Sequence, residues 1–274
     1  MPTLVYSHAA SAFSAVHVED AEALVWRDKD GRPVGRAFKA ENAHVIELDG
    51  VARFVFGSEG PDVRVAPAPG VANDVVEEYF RRWILPVVVQ TRGLEVVHAS
   101  AVVSPRGVVA FSAASEAGKS TLAYGLGRRG YRIWTDDALA FDAGEHGAET
   151  LPLPFRLRLR PASAEHFGLE PRLGGTIVEQ SEGDHGVREP IAELFLLERR
   201  NGGRPVEVER VDPIDAFPAL LEGSYHFGLE DGPQKRDLLD GYLALATRVP
   251  VFRLKLATGL ANLDAALDAV EERF

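Results

Sequence analysis

Val108-Val109-Ala110-Phe111-Ser112-Ala113-Ala114-Ser115-Glu116-Ala117-Gly118-Lys119-Ser120-Thr121 runs from an apolar, strand-like segment through a loop of small residues into Gly-Lys-Ser-Thr. A helical segment follows over residues 121–129, and Gly130 stops it. A phosphate-binding loop needs that order. Backbone N–H groups and the helix N-terminus face phosphate oxygens, the lysine adds a positive charge, and the first hydroxyl can hold Mg²⁺. On this reading Ala114, Ser115, Glu116, Ala117, Gly118, Lys119, Ser120 and Thr121 line a nucleotide's phosphates. Ala113 stands where the pattern G-x-x-x-x-G-K-[ST] has its first glycine. Alanine is comfortable there with a negative φ and strained with a positive one.

The rest of the chain bounds what such a loop serves. It has 274 residues, 46% apolar and 26% charged, as an ordinary globular protein does. A formal net charge of −11 argues against general nucleic-acid binding. The absence of cysteine excludes disulfides, thiolate metal sites and thiol catalysis. Residues 1–20 do not read as a signal peptide. The apolar stretch 83–90 is too short to span a bilayer and contains Pro86. A cytoplasmic protein with no membrane partner is the expectation.

Upstream, residues 1–70 read as a small β-rich region. Asp28-Lys29-Asp30-Gly31 and Asp49-Gly50 are turn signals between strand-like runs, and residues 63–65 add a short strand. The alternation predicts one buried face. His17 and His44 are isolated and read as structural. Residues 71–274 read as the catalytic domain, with 71–90 as a connecting helix capped by Asn73 or Asp74. Val75, Val76, Tyr79, Phe80, Trp83, Ile84 and Val87 form that helix's apolar stripe. Residues 94–103 read as one strand, and 131–135 as another that ends at Asp136-Asp137.

Downstream, residues 152–161 alternate and put Arg156, Arg158 and Arg160 on one strand face. Three like charges there call for an anion or acids, so they are candidate substrate contacts. Residues 174–185 read as a polar loop. A second polar loop, 224–237, carries His226, Lys235 and Arg236 and is a candidate lid. Helices are expected over 214–221, 237–247 and 263–274, and Asp264, Asp268 and Glu271 read as a solvated helix face.

Phosphoryl transfer needs the groups that cluster around the loop in sequence. Lysine and metal spread charge over the transferring phosphoryl, one carboxylate holds Mg²⁺, and a second can orient or deprotonate the attacking hydroxyl. His98, Lys119, Asp136 and Asp137 are therefore the catalytic candidates.

Three segments make a specific likeness. They are Val97-His98-Ala99-Ser100-Ala101-Val102, the loop from Ala113 to Leu122, and Arg129-Gly130-Tyr131 followed by Thr135-Asp136-Asp137. Together they resemble the HPr serine kinase/phosphorylase family, whose kinase domain is similar to ATP-dependent phosphoenolpyruvate carboxykinase. The resemblance implies an α/β, P-loop-containing core of that kind beside the β-rich N-terminal region. It implies Lys119 on the β/γ-phosphates, Ser120 and Asp137 on Mg²⁺, Asp136 as the base toward an acceptor hydroxyl, and His98 beside the acid pair. ATP, or another nucleoside triphosphate, and Mg²⁺ are the implied cofactors. Ala113 and Glu116 depart from the glycine-rich family loop. The layout resembles the stand-alone members of bacterial peptide-modification clusters, some similar to kinases of the C-terminal serine of lasso-peptide precursors. A small protein or peptide is then the implied acceptor. A small-molecule hydroxyl kinase and a nucleotide-binding regulatory protein without transfer remain open, as does the oligomeric state, a homo-oligomer included.

Overall fold

A computed structural model describes residues 2–6, 24–27, 30–40, 43–57, 59–144, 147–183, 187–225 and 232–274. His17, Asp28, Lys29 and His226 lie outside the described residues. The chain divides into two compact units, Met1–Leu94 with His226–Lys235, and Glu95–Tyr225 with Arg236–Phe274. The division falls at Leu94 rather than at residue 70, so the expected connecting helix belongs to the first unit.

The first unit is built on a six-stranded sheet of β1 (Thr3–Tyr6), β2 (Leu24–Arg27), β3 (Pro33–Ala40), β4 (Ala43–Leu48), β5 (Ala52–Phe56) and β6 (Asp62–Pro67). Strands β2 to β6 form an antiparallel meander, and β1 lies parallel to β6. The β4–β5 turn falls on Asp49-Gly50, where Gly50 takes φ 70°, a conformation open to glycine at little cost. One buried face was expected, but the middle of the sheet is buried on both. Val45 and Val55 pack with Phe38, Ala43 and Ala66 on one side. Ile46 and Phe54 are fully buried on the other, where Phe54 stacks on Phe80 at 6.5 Å.

Phe80 belongs to α1 (Asn73–Tyr79), a wide π turn (Phe80–Ile84) and α2 (Leu85–Gln90), which follow one another without a break. Pro86 sits in the first turn of α2 and offers no N–H to the turn before it, which accounts for the widening. Neither expected cap holds. The N-cap is Ala72, without a side-chain hydrogen bond, and Asp74 accepts only from the N–H of Val75. The apolar stripe is also too generous. Val76, Phe80, Ile84 and Val87 are buried, whereas Val75, Tyr79 and Trp83 are 42%, 38% and 45% exposed.

The second unit is organised by a larger sheet. Its strands are β7 (Glu95–Val97), β8 (Ala99–Ser104), β9 (Gly107–Ser112), β10 (Arg132–Thr135), β11 (Leu139–Gly144), β12 (Gly147–Leu151), β15 (Glu189–Arg200), β16 (Val206–Arg210) and β17 (Val251–Ala257). The main order is β10-β8-β9-β15-β12-β11-β7, with β17 beside β15 and β16 beside β17. Pairings β9–β15 and β15–β17 are parallel, and the others are antiparallel. Strands β13 (Phe155–Leu159) and β14 (Thr176–Ser181) make a separate two-stranded sheet. The β14 strand lies where a polar loop was expected. The expected strand over residues 94–103 is two strands, broken at His98.

The unit's helices are α3 (Lys119–Arg128), α4 (Pro161–His166), α5 (Pro213–Glu222), α6 (Gly232–Arg248) and α7 (Leu263–Glu271). One apolar cluster joins Trp134, Phe141 and Leu196 to Leu220 of α5 and Tyr242 and Leu245 of α6. The other joins Phe111 and Phe195 to Leu122 and Leu126 of α3, Leu267 of α7, and Leu157 of β13. The architecture is thus mixed α/β. No described helix is long and apolar enough to cross a membrane.

Two expectations about charge change here. Lys235 and Arg236 are exposed residues of α6, not of a lid loop. Asp268 accepts from Arg129 at 2.8 Å, Glu271 also pairs with it, and Asp264 lies 3.5 Å from it, so this face is an ion-pair cluster binding α7 to the end of α3. Buried Glu193 is answered by Arg106 at 2.7 Å and Arg273 at 2.8 Å, which a lone buried carboxylate would require.

His44 is 3% exposed and stacks on Phe56 at 5.3 Å, with neither ring nitrogen hydrogen-bonded among the described residues. Burial, helped by the charge of Lys39, lowers its pKa from 6.5. The unfolded chain therefore takes up a proton that the folded chain resists. This stabilisation of the neutral form is intact above about pH 6.5 and is lost as pH falls below it. Urea midpoints of the wild type and His44→Phe should diverge in the variant's favour between pH 7.5 and pH 5. A difference that stays constant over that range would contradict the assignment.

Candidate functional site

Strand β9 delivers the chain to the loop, and α3 leaves it. Gly118 takes φ 107° as the N-cap of α3 and supplies no side-chain cap. The first N–H groups of this ten-residue helix are thus left for an external acceptor. The φ of 107° disfavours any residue with a Cβ at position 118, and a Cβ there would also push aside the Arg199 guanidinium. Arg199 comes from β15 and donates from Nε to the Ala117 carbonyl at 2.8 Å. Ala113 is not among the residues with positive φ, so the missing first glycine costs no strain. Glu116 does take φ 71°, a conformation that costs a residue with a Cβ about 1–2 kcal/mol. Its carboxylate is turned outward onto Arg160 at 2.5 Å.

Lys119 is only 5% exposed. Its ammonium donates to the Ala113 and Ala114 carbonyls at 3.0 and 3.2 Å, which folds it back over the loop. Burial lowers its pKa, while the charges of Asp137 and Asp136 oppose that shift. The Thr121 hydroxyl lies 3.0 Å from Ser163 of α4.

The acid pair follows β10 directly. Asp136 is 7% exposed, and its Oδ1 accepts from Ser100 at 2.5 Å and Ser120 at 2.8 Å. Ser120 thus joins the loop to the acid pair through Asp136. Burial first, then the neighbouring Asp137 charge, raise the Asp136 pKa to about 6, against hydrogen bonds that lower it. Asp137 takes φ 66°. Its carbonyl accepts from His98 Nδ1 at 2.8 Å and from the Tyr225 hydroxyl at 3.1 Å. A carbonyl only accepts, so Nδ1 carries the proton. His98 is fixed in turn by its N–H to the Gly223 carbonyl at 2.7 Å.

The structure therefore brings Lys119, Ser120, Asp136, Asp137 and His98 into one cluster. Of the three candidate arginines, Arg160 is tied to the loop. Arg156 and Arg158 alternate with buried Phe155, Leu157 and Leu159 on β13, and Arg160 lies beyond the strand as the N-cap of α4. Arg160 reaches the loop through Glu116. Ser100, Arg199 and Tyr225 were missed. Ser100 alone carried a signal, a buried-type strand position occupied by a hydroxyl.

Ser120 Oγ and carboxylate oxygens are the hard donors that Mg²⁺ takes. Among the described residues no group of three or more His, Asp or Glu converges as a metal cage. The uncapped helix end and the buried ammonium fit the phosphates themselves.

No protein-family model matches the chain, and no curated protein matches it. Among solved structures, the HPr(Ser) kinase/phosphatase from Coxiella burnetii is similar over 65% of this chain and 95% of its own, with 11% identity and a TM-score of 0.33. A likeness of that size carries no argument about fold or chemistry.

Two outcomes follow from this geometry. Asp136 has a folded-state pKa above its unfolded 3.8, so its ionisation opposes folding as pH rises through about 6. Asp136→Asn keeps an acceptor for both serines and removes the charge. It should stabilise the metal-free protein above pH 7 by on the order of 2–3 kcal/mol, with the gain vanishing below about pH 4. A thermal-melt series showing no gain at pH 8 would sink this. Separately, Glu116→Gly removes both a left-handed side chain and a negative charge beside the loop. Titration with a fluorescent ATP analogue should show affinity tightened a few-fold, and weakened binding would mean that the Glu116–Arg160 pair shapes the loop.

Proposed function

We propose that this protein is an Mg-ATP-dependent kinase that phosphorylates a hydroxyl, most simply a serine of a small protein or peptide. The reading includes a P-loop core of the HPr-kinase and phosphoenolpyruvate-carboxykinase kind. The observation that carries it is the Ser120–Asp136 hydrogen bond at 2.8 Å. It joins the hydroxyl of Gly-Lys-Ser to an acid pair at the open end of a helix. Phosphate binding alone needs the loop and the helix end. A second carboxylate adjoining the metal-type acid is what transfer to a hydroxyl adds.

Ser120 and Asp137 would hold Mg²⁺, which when bound neutralises charge on the β- and γ-phosphates. Lys119 and the α3 N–H groups hold the phosphates. Asp136, with Oδ1 held by two serines, receives the acceptor's proton. The acceptor oxygen forms its bond to the γ-phosphorus, the bond to the β–γ bridging oxygen breaks, and ADP leaves. His98 and Tyr225 position Asp137 through its backbone. Nothing in the fold singles out a lasso-peptide precursor, so the acceptor is stated as a class.

Lys119→Ala should weaken Mg-ATP at least tenfold, and unchanged affinity would contradict the loop assignment. Asp136→Asn should retain nucleotide binding and lose transfer by about 10²–10⁴-fold, the range of a general base. Wild-type protein that binds Mg-ATP yet phosphorylates neither peptides nor small hydroxyl compounds would favour a regulatory nucleotide sensor.

A further inference from the structure

The phosphate loop is bordered by a second cation, which comes from a strand 80 residues away in sequence (positions 119 and 199). Leu196 of β15 lies opposite Ser112, the last residue of β9, and the two strands run parallel. Arg199 stands three residues further on, about 10 Å past the point where β9 gives way to the loop. Phe195 and Leu197 pack in the cluster that contains Leu122 and Leu126 of α3, and alternation puts Arg199 on that same face of the sheet. Its guanidinium therefore lies against the loop, with Nε on the Ala117 carbonyl at 2.8 Å. Nη2 fills the space beside Gly118 into which a Cβ would project.

What this guanidinium lacks is an anion. Its neighbours on the sheet have one each, since Arg200 pairs with Glu207 at 2.8 Å and Arg253 with Glu198 at 3.4 Å. Among the described residues no carboxylate reaches Arg199, Nη2 donates to nothing, and Nη1 has one long contact, 3.5 Å to the Ala257 carbonyl. The loop's own carboxylate, on Glu116, is taken by Arg160. Lys119 is also held by carbonyls, although the charges of Asp136 and Asp137 act on it. Partial burial alone accounts for the lowered pKa of Arg199. The residue still meets solvent, so an incoming anion can reach it. The uncapped N-terminus of α3 adds a further positive end at the same place. A cation beside a helix N-terminus is unfavourable by itself, and a chain of phosphates answers both at once.

We propose that Arg199 is a phosphate-binding residue of the loop, whose Nη edge takes oxygens of a bound nucleoside triphosphate while Nε stays on the Ala117 carbonyl. This rests on the nucleotide reading of the loop, and not on phosphoryl transfer. A guanidinium offers a phosphate two parallel donors, which the Lys119 ammonium does not.

The test titrates Mg-ATP and, separately, inorganic tripolyphosphate into the full chain by calorimetry, at about 50 mM and about 500 mM NaCl. Arg199→Gln keeps a donor for the Ala117 carbonyl and removes the charge. At low salt it should bind both ligands about ten- to a hundredfold more weakly than the wild type, the range of a hydrogen bond to a charged group. The deficit should shrink at high salt, because screening weakens an attraction that the variant has already lost. Arg199→Lys keeps the charge and should bind more tightly than Arg199→Gln. Without ligand, Arg199→Gln should melt no lower than the wild type, since no ion pair is lost. Equal affinity of Arg199→Gln and the wild type overturns the proposal and leaves the loop assignment standing. A deficit that salt does not change, a lysine variant no better than the glutamine one, or a lowered melting temperature without ligand also overturns it, because the guanidinium would then be a brace for Ala117. Wild-type protein that binds neither ligand overturns the nucleotide reading and the role of Arg199 together.

Discussion

Taking the Asp136 carboxylate out of water costs free energy that the hydroxyls of Ser100 and Ser120 return only in part. The remainder shows as a proton affinity well above that of an ordinary aspartate. Much of the second unit is arranged to sustain that state. Strand β8 brings Ser100, the start of α3 brings Ser120, and β10 brings the acid itself. Because β8 lies between β9 and β10, the loop and the acid pair are held on a common sheet. A site of this kind is held at a cost while its carboxylate is ionised.

The loop and the acid pair were legible in the sequence because each is contiguous. Small residues, Gly-Lys-Ser and an apolar run announce the loop over one stretch, and a carboxylate pair announces itself at the end of a strand. Strand and helix placement was read in part, with β14 and the break at His98 unforeseen. What was not legible lies across long separations. Ser100, Arg199 and Tyr225 act on residues that are 36, 82 and 88 positions away. Nothing local distinguishes such a tyrosine or arginine from a surface one. The three-arginine face is shortened for a related reason. Alternation correctly orders β13, but it cannot say that Pro161 starts a helix and takes Arg160 off the strand.

The first unit shows a different limit. A π turn adds a residue to the local repeat, so the columns before and after it are out of phase with an ideal helix. Reading periodicity through residues 75–87 therefore merged two columns: Val76, Phe80, Ile84 and Val87 face the core, whereas Val75, Tyr79 and Trp83 do not. The sheet deceived in the opposite sense. Its strands carry enough polar residues to look one-sided, yet the central pairs bury both faces.

The hold of His98 on the Asp137 carbonyl has one more consequence. Nδ1 is a donor in the neutral ring fixed by that carbonyl, and it is a donor in the imidazolium as well. Taking up a proton at Nε2 leaves the contact in place. The left-handed backbone at Asp137 is therefore propped by a tautomeric lock that does not open when the histidine titrates, and the acid pair keeps its orientation across the range in which most histidine contacts would switch.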